Sequence, residues 1–384
     1  MSSESKSVSM PSKLQNRIRG KLASDRIELK DQKRLCAVLR PESGKEITYM
    51  LEVTRELGIP LRCEGSPPPK GRRYARLDLS RMSRILDLDP SSRLVVVQAG
   101  VGAETLERWL NVHGWTLGWY CPALGNNPIS RAFQSNIPSF ARKFCGSPFS
   151  SIKGYRNILP DGREGWSLPG PHRATGPDLM GLYGSGYGFG LLSQIWIAVY
   201  PNNLDGESWS LHSKNLALLL DVARSEIRSA NAPNQLIISR DITKKGNTSA
   251  TWRLYATWPD ANSWGNAFPE RVRFLGVKGD MVEEIAPNSI DLLAPSAGGK
   301  QFRRLGAIDP GLIDALEASK NLWVLSFISG QEFWLWSLEK HRKNTDPVST
   351  WLSKEEKRTP SGSRKLIKAL QNSLDSHEHL ENRP

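Results

Sequence analysis

Four glycines at every second position, Gly184, Gly186, Gly188 and Gly190, run straight into the apolar stretch from Leu191 to Pro201. Glycine lets a backbone approach a ligand closely, or turn with positive φ, because no side chain stands in the way. A dinucleotide-binding turn needs G-x-G-x-x-G between a strand and a helix. Here the spacing is two throughout and a strand follows, so that fingerprint is excluded; a close approach to a ligand and a plain turn before a strand both remain open. A second group suited to chemistry is Arg62-Cys63-Glu64-Gly65-Ser66, followed by Pro67, Pro68 and Pro69. Small residues in succession aim their N–H groups at an anion. Prolines have no N–H to aim, and the Glu64 carboxylate repels phosphate unless a cation such as Lys70, Arg72 or Arg73 intervenes. A third group lies in Pro122, Gly125 and Ser130-Arg131, where a guanidinium can grip phosphate in a forked geometry or simply be solvated.

The other reactive residue types exclude more than they offer. The six histidines form no HExxH pair, and no metal is expected. His113, just before Gly114, reads as a charge partner for a helix C-terminus. No G-x-S-x-G supports a hydrolase, and no catalytic residue is singled out. Cys36, Cys63, Cys121 and Cys145 are widely separated and form no CxxC, so a reduced, cytoplasmic setting is expected. The net charge of +13 suits an acidic ligand or an anionic surface. It is spread along the chain without a zinc-finger or aromatic-basic pattern, so nucleic acid is not an expected partner. No apolar run reaches bilayer length, which leaves only peripheral membrane contact through the basic surface.

These groups need elements to hold them. Residues 1–33 mix Ser, Lys, Arg and Asp with little apolar period and read as a basic mobile tail with room for one short helix, order beginning near Leu35. A strand, a helix over about Lys45 to Leu57 and a second strand then make a β-α-β unit, and a further helix spans Ala103 to His113. A hairpin turns at Pro160-Asp161-Gly162. After Pro201 the character changes: a helix over about Ser213 to Ala230 and scattered Trp- and Leu-rich strands suggest a boundary near 201–206. Arg303-Arg304 could offer a cation to an acidic substrate, whereas Trp334 and Trp336 read as one face of a core strand. The organisation expected is a tail over 1–33, a first domain over 34–203, a second over 204–345, and a polar linker with a last helix over 346–384.

Taken in order, "AVLRPESGKEITYMLEVTRELGIPLR", "RLVVVQAGVGAETLERWLNVHGWTLG", "NILPDGRE" and "ATGPDLMGLYGSGYGFGLLSQIWIAVYP" resemble the flavoprotein family of vanillyl-alcohol oxidase and para-cresol methylhydroxylase. Within it the sequence looks most like the FAD-binding subunit of glycolate oxidase. The resemblance implies an α+β protein: a two-lobed FAD-binding domain of two α/β subdomains, a mixed α+β cap over the flavin, and a C-terminal helix returning to the first domain. It implies FAD, a small acidic substrate, and oxidation by hydride transfer to flavin, alone or with a protein partner subunit. Carried over position by position, the cofactor site comprises Arg62, Cys63, Glu64, Gly65, Ser66, Pro122, Gly125, Ser130, Arg131, Thr175, Gly176, Gly184, Ser185, Gly190, Leu191 and Leu192.

The sequence departs from the family at two places. Where the family has a glycine-rich phosphate loop, three prolines follow Gly65; where it has adjacent glycines, Ser130-Arg131 stand. Two lost charge-assisted bonds amount to about 3 to 6 kcal/mol. Two functions are therefore carried forward: an FAD-dependent oxidoreductase with remodelled phosphate loops, and a degenerate member with weak or lost FAD binding that acts as a structural or regulatory partner.

Overall fold

The computed structural model describes residues 10–358, except 33, 64–68, 70, 121–123, 135–147, 171–189, 203–206, 243–247, 259–262, 279–280, 286–301, 306–307, 320, 328–332 and 338–345. Two hydrophobic cores divide it.

The first core belongs to two sheets. Strands β1 (Ile27–Gln32), β2 (Leu35–Leu39), β3 (Leu61–Cys63) and β4 (Tyr74–Leu77) form a sheet in the order β1-β2-β4-β3. Both β2 and β3 run parallel to β4, and β1 is antiparallel to β2. Every residue of β2 is buried, as expected of a strand covered on both faces. The β2-to-β3 crossover is helix α2 (Gly44–Glu56). Ser43 caps it by accepting from the Glu46 N–H, while Glu46 accepts from the Glu42 N–H, a reciprocal N-terminal lock. Ile47, Met50, Leu51 and Thr54 form its buried stripe.

The second sheet contains β5 (Ile85–Asp89), β6 (Leu94–Gln98), β8 (Ile152–Ile158), β9 (Glu164–Ser167) and β10 (Leu191–Ala198), in the order β5-β6-β10-β8-β9 and antiparallel throughout. The short β7 (Trp115–Thr116) and β11 (Tyr200–Pro201) pair separately. Helix α2 joins the two sheets: Arg55 donates to the Pro160 carbonyl in the β8–β9 turn, and the Gly44 position lies against Ile158 and Ser193. Helix α3 (Ala103–Val112) follows β6 and ends at His113, whose Nδ1 lies 2.8 Å from the Trp109 carbonyl oxygen.

The expectation of a mobile tail over residues 1–33 does not hold from Met10 onward. Helix α1 (Met10–Arg19) buries Leu14 and Ile18 completely, and β1 pairs with β2 in register from Ile27↔Leu39. Two apolar residues four apart make a stripe narrow enough to be hidden among charges. The charges are paired: Arg17 with Glu56, Lys30 with Glu28, and Arg40 with Glu28 at 2.6 Å.

The second core belongs to a seven-stranded antiparallel sheet of β12 (Ser208–Ser213), β13 (Gln235–Ile242), β14 (Thr248–Thr257), β15 (Val282–Glu284), β16 (Phe302–Leu305), β17 (Trp323–Phe327) and β18 (Phe333–Ser337), ordered β15-β12-β14-β13-β17-β18-β16. Helices Leu216–Arg228, Phe268–Phe274, Pro310–Ala318 and Pro347–Arg358 contribute to the core on one face. The last falls where a polar linker was expected. Val348 and Leu352, again four apart, are buried in the cap core, and Asp346 accepts from the Ser349 N–H at its start. The expected C-terminal helix near Lys365 lies outside the described residues.

Candidate functional site

The carboxyl ends of parallel strands are where open α/β sheets present ligand crevices. At those ends Cys63 closes β3, while Leu77 and Leu79 bracket the exit of β4. Across from them the first two residues of β10, Leu191 and Leu192, belong to the antiparallel sheet. Helix α4 (Ile129–Gln134) closes the third side with Ser130 and Arg131. These residues and Pro128 line one narrow cleft with a cavity volume of about 30 Å³. Five residues selected from the sequence, Cys63, Ser130, Arg131, Leu191 and Leu192, thus meet although they come from three distant segments.

Glycine makes this approach feasible at one hidden point. A β-carbon on Gly100 would stand 1.8 Å from the Leu79 carbonyl oxygen, so the turn after β6 can pass beneath Leu79 only without a side chain. Gly190, at φ 157°, serves similarly where β10 begins: a β-carbon would lie 2.9 Å from the Ile158 carbonyl oxygen.

The main-chain amides near the cleft are largely engaged. The Ile129 and Ser130 N–H groups donate to the Val101 and Ala99 carbonyls at 2.7 and 3.1 Å, so Ser130 has its hydroxyl rather than its amide to offer. The Ala103 and Glu104 N–H groups donate to the Asn127 and Gly125 carbonyls, and the Thr105 N–H to Asn126 Oδ1. The N-terminus of α3 is therefore satisfied from within. Gly125, at φ 51°, helps to cap that helix and does not line the cleft. Arg62 is buried, with Nη1 donating to the Leu61 carbonyl at 3.0 Å, and does not line it either. Arg131 is exposed and donates to Asn127 Oδ1 at 3.0 Å. Glu64, Gly65, Ser66, Pro122, Thr175, Gly176, Gly184 and Ser185 lie outside the described residues. Of the proline run, Pro69 is buried and its carbonyl accepts from Arg34 Nη1 at 3.1 Å.

Electrostatics hold the cleft's rim. Burial alone would raise the Asp78 carboxyl, but hydrogen bonds from the Ser80 amide and hydroxyl and from Arg40 outweigh it and hold the group below its usual value. Arg40 Nε reaches Asp78 Oδ2 at 3.0 Å, tying the exit of β2 to the exit of β4. Among the cysteines, burial pushes the Cys36 thiol up, and its Sγ donates to the Tyr74 carbonyl at 3.1 Å. Cys63 is half-exposed at the cleft wall.

Sequence reading missed a second surface. One face of the cap sheet packs its own core through Leu211, Leu236, Ile238, Trp252, Leu254 and Leu335. The opposite face turns toward the first domain, since Ile237 and Val324 join that domain's core and Tyr255 packs against it. This face is polar although buried. One row across it reads Ser210, Tyr255, Ile237, Ser326, and the next reads His212, Arg253, Ser239, Val324. Ser210 and Ser239 are fully buried, and their Oγ atoms, like His212 Nδ1, have no hydrogen-bond partner among the described residues. The signal in the sequence was Ser and His alternating with Trp and Leu in "SWSLHS". Trp334 and Trp336 hold register positions in these rows, opposite Ser326 and Val324, while the core positions of β18 are Phe333 and Leu335. Arg304 pairs in register with Trp334, and Arg303 with Leu335.

A two-sheet domain with a crevice at parallel strand ends, followed by a second domain of mixed sheet and helices, is the FAD-binding fold of the p-cresol methylhydroxylase type. Residues 36–164 match the FAD binding domain family, so FAD is the cofactor for which this domain is built. Among solved structures, alkyldihydroxyacetonephosphate synthase superimposes with a TM-score of 0.74 at 11% identity, covering 100% of this chain and 88% of that one. p-Cresol methylhydroxylase with substrate bound gives 0.72 at 13% identity, over 97% of this chain and 96% of the other. Among curated proteins, 1'-carboxy-chondrochloren decarboxylase of Chondromyces crocatus is 28% identical over 191 residues, 44% of this chain and 35% of its own length. Alkyldihydroxyacetonephosphate synthase of Caenorhabditis elegans is 21% identical over 43% of this chain and 26% of its own length. The chain thus aligns with about a third or less of these relatives.

Among the described residues there is no group of three or more His, Cys, Asp or Glu able to hold a metal. The one His-x-His spacing, His377 to His379, lies outside them. No described helix is long and apolar enough to cross a membrane.

Proposed function

We propose that the protein is an FAD-dependent oxidoreductase acting on a small hydroxy acid or alcohol, alone or as the flavin-carrying subunit of an assembly. The observation that carries this is the convergence of Cys63, Ser130, Arg131, Leu191 and Leu192 on one cleft at the strand ends of a domain matched to FAD binding.

The residues present suit the cofactor. Leu77, Leu79, Leu191 and Leu192 give apolar walls for an aromatic ring, and the Ser130 hydroxyl and Arg131 guanidinium give polar contacts at one end. When bound, FAD supplies the acceptor for the hydride leaving the substrate's carbinol carbon. The chain's own part is to hold the substrate and take its hydroxyl proton. Arg253, on the cap face turned to the FAD domain, is paired with Glu283 at 3.3 Å, and a substrate carboxylate competes with that partner for it; beside it in register, His212 is the proton acceptor. Replacing solvent there by buried hydroxyls strengthens both effects.

Anaerobic mixing of the FAD-loaded protein with hydroxy acids and neutral alcohols tests this. Carboxylate-bearing substrates are expected to bleach the flavin absorption, and His212→Gln to slow bleaching by about 10²-fold or more. A loaded protein that no hydroxy compound bleaches contradicts the proposal.

A second reading, weak or lost FAD binding with a structural or regulatory role, is favoured by Pro69. Its buried carbonyl is engaged by Arg34, so the end of the proline run acts as a packed brace.

A further inference from the structure

Asn157 lies on β8 and is 1% exposed, yet neither its Oδ1 nor its Nδ2 has a hydrogen-bond partner among the described residues. Burying an amide without partners is costly, and native proteins seldom leave both atoms idle. Two neighbouring positions make room for it. A β-carbon at Gly165, its register partner on β9, would stand 2.7 Å from Oδ1, and one at Gly190 would stand 2.7 Å from Nδ2. The amide is thus packed between two positions that only glycine can occupy, and neither supplies it a hydrogen-bond partner.

Its place in the sheet says where a partner would come from. Asn157 pairs in register with Leu192, which lines the cleft, and the adjacent Ile158 pairs with Leu191, which lines it too. Cross-strand partners share a face, so Asn157 stands on the same face of the sheet as the cleft-lining Leu192, one strand behind it and not itself among the residues that line the cleft. A primary amide offers one acceptor and one donor side by side. The complementary ligand edge has an N–H next to a C=O, as the pyrimidine rim of a flavin does.

We propose that Asn157 is a cofactor-recognition residue whose carboxamide binds the donor–acceptor edge of the flavin ring. This rests on the FAD reading above. Loss of the amide therefore has opposite effects on the empty and the loaded protein. Without ligand, replacing an idle buried amide by a hydrocarbon of similar shape is neutral or stabilising; with ligand, the flavin loses its paired bonds.

The test uses the full chain with Asn157→Leu and Asn157→Asp, measuring FAD affinity by fluorescence titration and the melting temperature of the FAD-free protein. The expected result for Asn157→Leu is a melting temperature equal to or above wild type with FAD bound at least tenfold more weakly. Asn157→Asp keeps the shape and removes the donor, so it is expected to weaken FAD also, and it decides the matter if the Leu variant does not fold. Riboflavin affinity should fall in parallel, whereas ADP binding should not. Unchanged FAD affinity in a folded variant overturns the assignment and leaves the FAD reading standing. Failure of wild type to bind FAD removes both.

Discussion

Cys63 and Cys36 are neighbours in fold and opposites in reactivity. Cys36 lies inside β2 with its thiol pushed up by burial, whereas Cys63 ends β3 on the cleft wall. A thiolate reacts, a buried thiol does not. With a maleimide at neutral pH and peptide mapping, Cys63 is expected to be modified and Cys36 spared, and FAD should slow modification of Cys63. Equal labelling with and without FAD would place the ligand elsewhere. At this scale the sequence was informative where side chains are few and the backbone does the work. Leu191 and Leu192 were legible because glycines precede them, and Ser130-Arg131 because they interrupt an expected pair of glycines. The roles proposed for Asn157, Arg253 and His212 were not, because an idle amide and a polar strand face become visible only when pairing partners are known.

Two of the ion pairs that join elements each give a measurable consequence. Asp78, held by Ser80 and Arg40, has a folded carboxyl value below its unfolded one of about 3.9. Its contribution is therefore complete above that pH and is lost as pH falls through the folded value. Asp78→Asn is expected to cost about 1.5–3 kcal/mol at neutral pH. Chemical denaturation should show the gap from wild type closing as pH falls below 4; a gap independent of pH would contradict this role. In the cap, Arg271 grips the buried Glu226 with Nε and Nη2 at 3.1 and 2.8 Å and lies over Trp258 and Phe268. Arg271→Ala leaves that carboxylate unpaired and should destabilise by about 3–5 kcal/mol, read by the same method, with Glu226→Gln in the same protein recovering part of the loss. Elements with broad apolar stripes, such as α2 and α3, were legible near their true ends. Helix Pro347–Arg358 was not, and of α1 only a short helix was legible and not its packing, since each packs through residues four apart within charged sequence.

The molecule as a whole is two cores with a shared boundary. One spans α1 to β10, the other the cap, and Ile237 and Val324 on the cap's polar face join the first. The first core belongs to elements up to β10 and the second begins with β12, and an antiparallel sheet with covering helices has a different apolar period from a β-α-β unit. The polarity of the cap's second face was hidden for the same reason that it matters: alternation along one strand does not reveal what stands across from it. On the proposed reading, FAD bound in the first domain stabilises the fold by about 2.7 kcal/mol at a concentration one hundred times its dissociation constant. The most direct measurement is FAD retained by the purified full chain after gel filtration, read by its visible absorption alongside the melting temperature. A yellow protein carrying one FAD per chain, melting higher than its stripped form, is the predicted result. A colourless protein that takes up no added FAD and melts at the same temperature with and without it would contradict the account.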